Sequence, residues 1–320
     1  MRTDVRIILR DMQSNPPLYW AGVVMSIDFL LCVMLMTIDH RQITGVNAWL
    51  KPAKFAISTA IMNLSLSWIM ARLTDRPRTR AWASRLFALS TVVDVAIIDL
   101  QAGRGTTSHF NMATPFDRDA YITMGIFIGI TLVSMSAFTY ALFRQRMAPA
   151  AWAWALRLGA LVSLLGAASG GLMTPPTHAQ LESPDRVRVG THTVGAPDGG
   201  LGLPFLNWST QHGDLRVPHF LGLHAMQAIP LISWWLMRRR TLQELQRVQL
   251  VWLSTTAYVS LFVLQAWQAL RGQAPLRPDG ATLLVASIIL ALTCVGSVLI
   301  LFHSLQVALN GWAEVFEVRS

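Results

Sequence analysis

Eight runs of mostly apolar residues constrain this chain more than any other feature, because each reaches the length of about 20 residues that a helix needs to cross roughly 30 Å of hydrocarbon. They lie near 17–38, 49–71, 81–101, 120–143, 150–172, 217–237, 248–270 and 281–305. A closed barrel is the other way to span a bilayer, but its strands alternate with a period of two, whereas these runs are continuous. The expected fold is therefore all-α: a polytopic membrane helical bundle of about eight transmembrane helices, with residues 1–320 forming a single integral membrane domain. Charged residues, at 13%, are about half as frequent as in soluble domains, which agrees with that class.

Arginines set the expected orientation. The N-terminus (Arg2, Arg6, Arg10), the second connection (Arg72, Arg76, Arg78, Arg80), the fourth (Arg144, Arg146) and the sixth (Arg238, Arg239, Arg240, Arg247) are short and basic. By the positive-inside rule these face the cytoplasm, so both termini are expected inside, in a bacterial cytoplasmic (inner) membrane, with the long connection 173–215 outside and capping the outer face. The net charge of +9 then reports topology; no soluble patch with groove-reading or stacking elements points to nucleic acid. Cys32 and Cys294 both fall in spans, which leaves no disulfide framework and no CxxC motif. Residues 2–12 read as a short amphipathic helix on the inner leaflet rather than a cleavable signal. No Walker loop occurs, so ATP-driven action by this chain alone is not expected.

Polar residues are distributed unequally between the two sides. His40, His109, His178, His192, His212, His219 and His224 fall on or near the expected outer face and only His303 near the inner one. For His178 and His192 the reading as ordinary loop histidines is favoured; the others recur beside charged partners at helix ends. In the third span Asp94 and Gln101 share a face, about 20° apart, while Asp99 lies about 140° away toward a neighbouring helix. Arg104 and His109 follow in the turn GRGTTSH, whose amides and guanidinium suit an anion. In the second span Lys51, Lys54, Ser58 and Ser65 form one narrow stripe, directed to protein or a cavity unless the lysines snorkel to headgroups.

The stretch STQHGDLRVPHFLGLHAMQ, 209–227, opens the sixth span, with Asp214 as a candidate cap and Pro218 in the first turn. Around that helix His219 sits at about −60° from Arg216, Gln227 at about +20° and His224 at about +80°. Histidines five apart do not share a face as HExxH histidines do, so co-ligation of one metal needs other segments. Pro230 is expected to bend this helix near its middle. In the long connection, Leu203, Phe205, Leu206 and Trp208 are expected to pack down as a cap, and the first half, with Glu182, Asp185, Arg186 and Arg188, to be looser; its glycines do not form a phosphate loop.

The segments NAWLKPAKF (47–55), GRGTTSHFN (103–111), VGAPDGGLGLP (194–204) and WSTQHGDLRVPHFLGLHAMQ (208–227) resemble signature segments of an uncharacterised family of bacterial multi-pass membrane proteins. That resemblance implies a bacterial membrane protein and brings no activity, cofactor or fold. In the fifth span, Gly166 and Gly170, with Gly159 and Ser163, mark a close helix contact within the chain. Asp28, in the first span, is expected to pair with a polar group such as Arg157. Trp20, Trp49, Trp68, Trp152, Trp154, Trp234 and Trp235 lie near span ends as interfacial anchors.

Two functional classes follow. The first is a membrane enzyme or a metal- or haem-binding redox protein acting on a lipid or anionic substrate. There Asp99, His109, His219 and His224 would do the chemistry, and Lys54, Arg104, Asp214, Arg216 and Gln227 would hold the ligand; His109, His219 and His224 are the candidate metal ligands. The alternative is a proton-coupled transporter or ligand-sensing membrane protein that binds an anion, with Asp28 and Asp94 coupling protons. The implied partners are membrane lipid and a small anionic or lipid-linked ligand.

Overall fold

The computed structural model describes residues 5–185 and 187–317, with side chains up to 302; Arg2 and Arg186 and the side chain of His303 lie outside the described residues. Among the described residues eleven α-helices run in order: α1 Val5–Gln13, α2 Pro16–Ile38, α3 Leu50–Met70, α4 Pro77–Gly103, α5 Pro115–Arg144, α6 Ala150–Ser169, α7 His178–Glu182, α8 Arg216–Leu223, α9 Ala225–Met237, α10 Glu244–Leu270 and α11 Gly280–Glu317. Seven of them are long and apolar enough to cross a membrane, or eight if the bent pair α8–α9 counts as one span. Several begin earlier than their apolar runs, since prolines start α2, α4 and α5 where a missing N–H costs no helix bond. Thr114 caps α5 by accepting from the Asp117 amide at 3.1 Å.

Consecutive long helices pack as antiparallel neighbours, α2 on α3, α4 on α5 and α10 on α11, and α6 lies against α5, α8, α9 and α10. One core cluster joins α2 to α6 through Leu18, Leu66, Met70, Phe87, Phe138 and Leu156, all at most 2% exposed. A second joins α6, α9 and α10 through Ala155, Val162, Ile229 and Val251. The alternation gathers the connections 39–49, 104–114, 174–215 and 271–279 at one end of the bundle, and 71–76, 145–149 and 238–243 at the other. At this second end, Gln145 ties two connections together by accepting from the Thr74 and Asp75 amides, each at 3.1 Å. There α1 docks on α3, with Ser67 bonding the Met12 carbonyl at 2.6 Å and Arg72 pairing with Asp11 at 2.9 Å.

The sixth span departs from expectation. It breaks at His224, where α8 and α9 meet at 47°, and Pro230 lies inside an uninterrupted α9. The carbonyls freed at the break find side-chain donors from other helices: Tyr258 Oη bonds Leu221 O at 2.5 Å and Ser163 Oγ bonds Leu223 O at 2.7 Å. Pro230 is instead accommodated opposite Gly159, where a Cβ would lie 3.3 Å from its Cδ. The small-residue pattern of α6 works as expected: a Cβ on Gly166 would stand 2.2 Å from the Gly222 carbonyl carbon, so the two backbones touch.

The cap also differs in detail. Residues 187–194 run between two neighbours: the Met112 amide bonds Val187 O at 2.8 Å, Val189 bonds Phe110 O at 3.0 Å, and β1 Thr193–Val194 pairs with β2 Gly213–Asp214. The first half is tied as well, since Gln180 holds both the amide and the carbonyl of Gly190. Gly190 is required there: its φ is +103°, and a Cβ would meet Phe110 and Met173 O at 2.6 Å. Of the apolar residues expected to pack down, Trp208 does so on Phe220, with ring centres 5.6 Å apart. Phe205, at 77% exposure, and Leu206 point outward instead. The turn 203–207 explains this: Phe205 and Asn207 take positive φ, while Leu203 O accepts the Asn207 amide at 2.8 Å, which turns the intervening side chains out.

Candidate functional site

Three carboxylates with buried side chains organise the cap end, and each holds one arginine. Asp198 accepts from the His192 and Thr193 amides, Thr191 Oγ1 and His192 Nδ1, and pairs with Arg188 at 3.0 Å. Asp214, fully buried, accepts the Ser209 and Arg216 amides and binds the Arg216 guanidinium through both oxygens, at 2.9 and 2.6 Å. It is therefore not the cap residue of α8, which is Leu215, but it forms an Asx-type turn that launches the helix. Asp117 takes Arg104 at 2.5 Å, Gln101 and Thr114, and Arg104 also bonds Gln101 and lies over the Phe116 ring. The charge of each of these arginines is thus already matched within the fold.

Two cations in the same region have no such match. Among the described residues, Lys51 Nζ contacts His109 Nδ1 at 3.1 Å and Lys54 Nζ bonds the Leu206 carbonyl at 2.9 Å, and neither forms an ion pair. The second-span stripe thus points at the cap, and Ser58 continues it by bonding His224 Nε2 at 3.2 Å. With Lys51 charged, its ammonium donates, His109 Nδ1 accepts, and the imidazole proton sits on Nε2. Burial holds the His109 pKa well below the ordinary histidine range, and the nearby charge of Lys51 adds to that. Its ring is packed between Phe55 and Phe110, and His192 stacks edge-on against Phe110 from the cap side.

His192 is a site residue that the loop reading passed over. Its side chain is 18% exposed, and its Nδ1 lies 2.8 Å from Asp198. Burial pushes its pKa down to about 4, against the opposing pull of Asp198. Burial raises the Asp198 carboxyl, but the His192 hydrogen bonds and the Arg188 charge outweigh it and hold that group below the usual carboxylate range. At neutral pH the pair is thus a neutral imidazole donating to a carboxylate. His178 fits the loop reading, being 91% exposed.

The remaining candidates divide. His219 donates Nδ1–H to the Gly166 carbonyl at 2.8 Å, and His224 engages Ser58 through one nitrogen and Gln227 Oε1 through the other. The histidines His109, His219 and His224 therefore do not converge as one metal-ligand set. Asp99 does not join the cluster at the cap end either. It lies beside Asp28 and Cys32 of α2, and these three are the one group of potential metal ligands found within 4.8 Å of one another among the described residues. Asp28 does not meet Arg157, whose guanidinium bonds the Leu142 and Gln145 carbonyls. Asp94 is buried toward the bundle interior, as its helical position requires, with one oxygen lacking a hydrogen-bond partner. An open groove of about 390 Å³ between α10 and α11 is lined by Val259, Val263, Trp267 and Ile289, with Ser260 as its one hydroxyl, so the polar chemistry lies elsewhere. Compared with known proteins, the chain matches no family model, no curated protein and no solved structure.

Proposed function

We propose that this chain is a multi-pass protein of the bacterial cytoplasmic membrane with both termini inside, whose capped outer end binds an anionic group and performs acid–base chemistry on it. The observation that carries the reading is that, among the described residues, Lys51 and Lys54 form no ion pair, while Arg104, Arg188 and Arg216 at the same end are each paired. An unmatched ammonium in partly dry surroundings is an electrostatic vacancy for an anion. Membrane residence is supported by the exposed apolar exterior, with Leu30, Leu231, Leu290 and Leu299 each more than 60% exposed.

His109 would act as the acid. Its Nε2–H can give a proton to a leaving oxygen as Nδ1 takes one from the Lys51 ammonium, so that the ring stays neutral and Lys51 is left as the amine. The metal or haem version is weakened because His219 Nδ1 and both His224 nitrogens are already engaged. A second reading, proton-coupled anion transport, draws on the unpartnered oxygens of Asp28, Asp94 and Asp99 within the spans.

Calorimetric titration of the detergent-purified protein with inorganic phosphate and with acetate tests the anion site. Lys51→Ala and Lys54→Ala are each expected to weaken binding at least about tenfold, equivalent to roughly 1.4 kcal/mol, with the melting temperature little changed. Binding unaffected by either substitution would sink the reading.

A further inference from the structure

The side of the site facing α8 and α9 is only half closed. Lys54 and Ser58 of α3 and His224 and Gln227 across from them are half-buried, although Ser58 bonds His224 at 3.2 Å and Gln227 reaches Met62 Sδ at 3.7 Å. Helices α3 and α9 touch here without packing along their length. Behind this meeting Met226 packs in the core with Leu66 and Met62, so the half-buried groups lie along a lateral seam between the helices, which we read as a crevice. Its lips are apolar and exposed: Phe55 at 36%, Ile61 at 41%, Phe220 at 42% and Leu231 at 62%. By helical spacing Ile61 lies on the same face of α3 as Lys54 and Ser58, about two turns further into the bundle. Each wall of the crevice therefore grades from polar near the cap to exposed apolar below.

Water-soluble anions do not need that gradient; an amphiphile does. Lys54 lies four residues into α3, about 6 Å below its start, which is the depth of the polar interface flanking a hydrocarbon core. The anion that a bilayer presents at that depth is the phosphate of its own lipids. The cap adds a matching surface, since Leu206 and Phe205 project outward beside the carbonyl that Lys54 holds. We infer that the ligand of this site is a lipid phosphate, which enters sideways between α3 and α8–α9 with its headgroup toward Lys54 and Lys51 and its acyl chains along Ile61 and Leu231. This inference rests on the anion-binding reading and deepens it by naming the ligand class and its path.

Binding of two phosphatidic acids to the purified full-length chain separates the two readings: the dioleoyl form, and the water-soluble dibutyryl form with the same headgroup. The dioleoyl lipid is expected to bind at least about tenfold tighter. Ile61→Trp and Leu231→Trp, both at exposed positions that tolerate a larger side chain, should remove that advantage while leaving the dibutyryl form bound as in wild type. Equal affinity for the two forms, or an advantage that survives both tryptophans, overturns lateral lipid entry and leaves the anion site standing. Failure of a folded wild-type protein to bind either form overturns both.

Discussion

At the scale of residues, the cap end matches the charges of Arg104, Arg188 and Arg216 with carboxylates and, among the described residues, leaves Lys51 and Lys54 without an ion pair. Asp198, Asp214 and Asp117 each accept several donors, so removing any of them would leave an arginine and several amides without partners in a half-dry setting. His192 makes this testable through pH. Its pKa in the fold is about 4, against about 6.5 for a free imidazole, so between those values the unfolded chain binds more protons. Its contribution is present above about pH 6.5 and is lost as pH falls toward 4, on the order of 3 kcal/mol in all. Thermal unfolding in detergent should show a melting temperature that drops from pH 7 to pH 5. His192→Gln, which still donates to Asp198 but does not titrate, should flatten that drop, and His109 keeps part of the slope because its pKa is lowered in the same direction. An unchanged slope in the variant would count against the buried His192–Asp198 pair. The lysine stripe was legible from spacing alone, because helical phase is a local property. The partners of His192 and Asp99 were not. One is set by a loop folding back on another loop, the other by which helix adjoins α4, and neither leaves a periodic trace.

At the scale of elements, the crossing of α6 with α8 positions the site, since the same contact supports the break at His224 from which the polar face of the crevice begins. The glycine spacing announced a close approach but not its partner, which only tertiary packing supplies. The break itself was misplaced at Pro230, because proline is an intrinsic bender whereas His224 marks a break held by Tyr258 and Ser163 from other helices. Gly166→Ala should force the α6 and α8 backbones apart and lower stability by about 1–3 kcal/mol, the usual cost of overpacking. Gly171→Ala, where a Cβ meets nothing within 4 Å, provides the control and should be near neutral. Denaturant midpoints in mixed micelles measure both, and equal midpoints would show that the crossing does not depend on backbone contact.

At the scale of the whole molecule, the two ends of the bundle differ in chemistry, and that difference implies an orientation. Arginines stack on tryptophans one turn away at the rims, Arg72 over Trp68 at 4.0 Å, Arg238 over Trp234 at 3.7 Å and Arg239 over Trp235 at 4.3 Å at one end, with Arg271 over Trp267 at 4.3 Å at the other. Such pairs suit an interface where a ring meets hydrocarbon and a guanidinium meets phosphate. The apolar runs made the helices legible because hydrocarbon leaves so few backbone solutions, and the arginine count then supports placing the Asp75 and Arg240 connections in the cytoplasm and the cap outside. Cysteine labelling tests this directly, in a background where Cys32 and Cys294 are replaced by serine. Glu182, Asp75 and Arg240 are all exposed, so a cysteine at each would be reachable from its own side. A membrane-impermeant maleimide added to intact spheroplasts is expected to label Glu182→Cys alone, and Asp75→Cys and Arg240→Cys only after lysis. Labelling of Asp75→Cys from outside would invert the molecule, place the lysine site against the inner leaflet and make a cytoplasmic phosphate, rather than one delivered from the outer leaflet, the ligand to test.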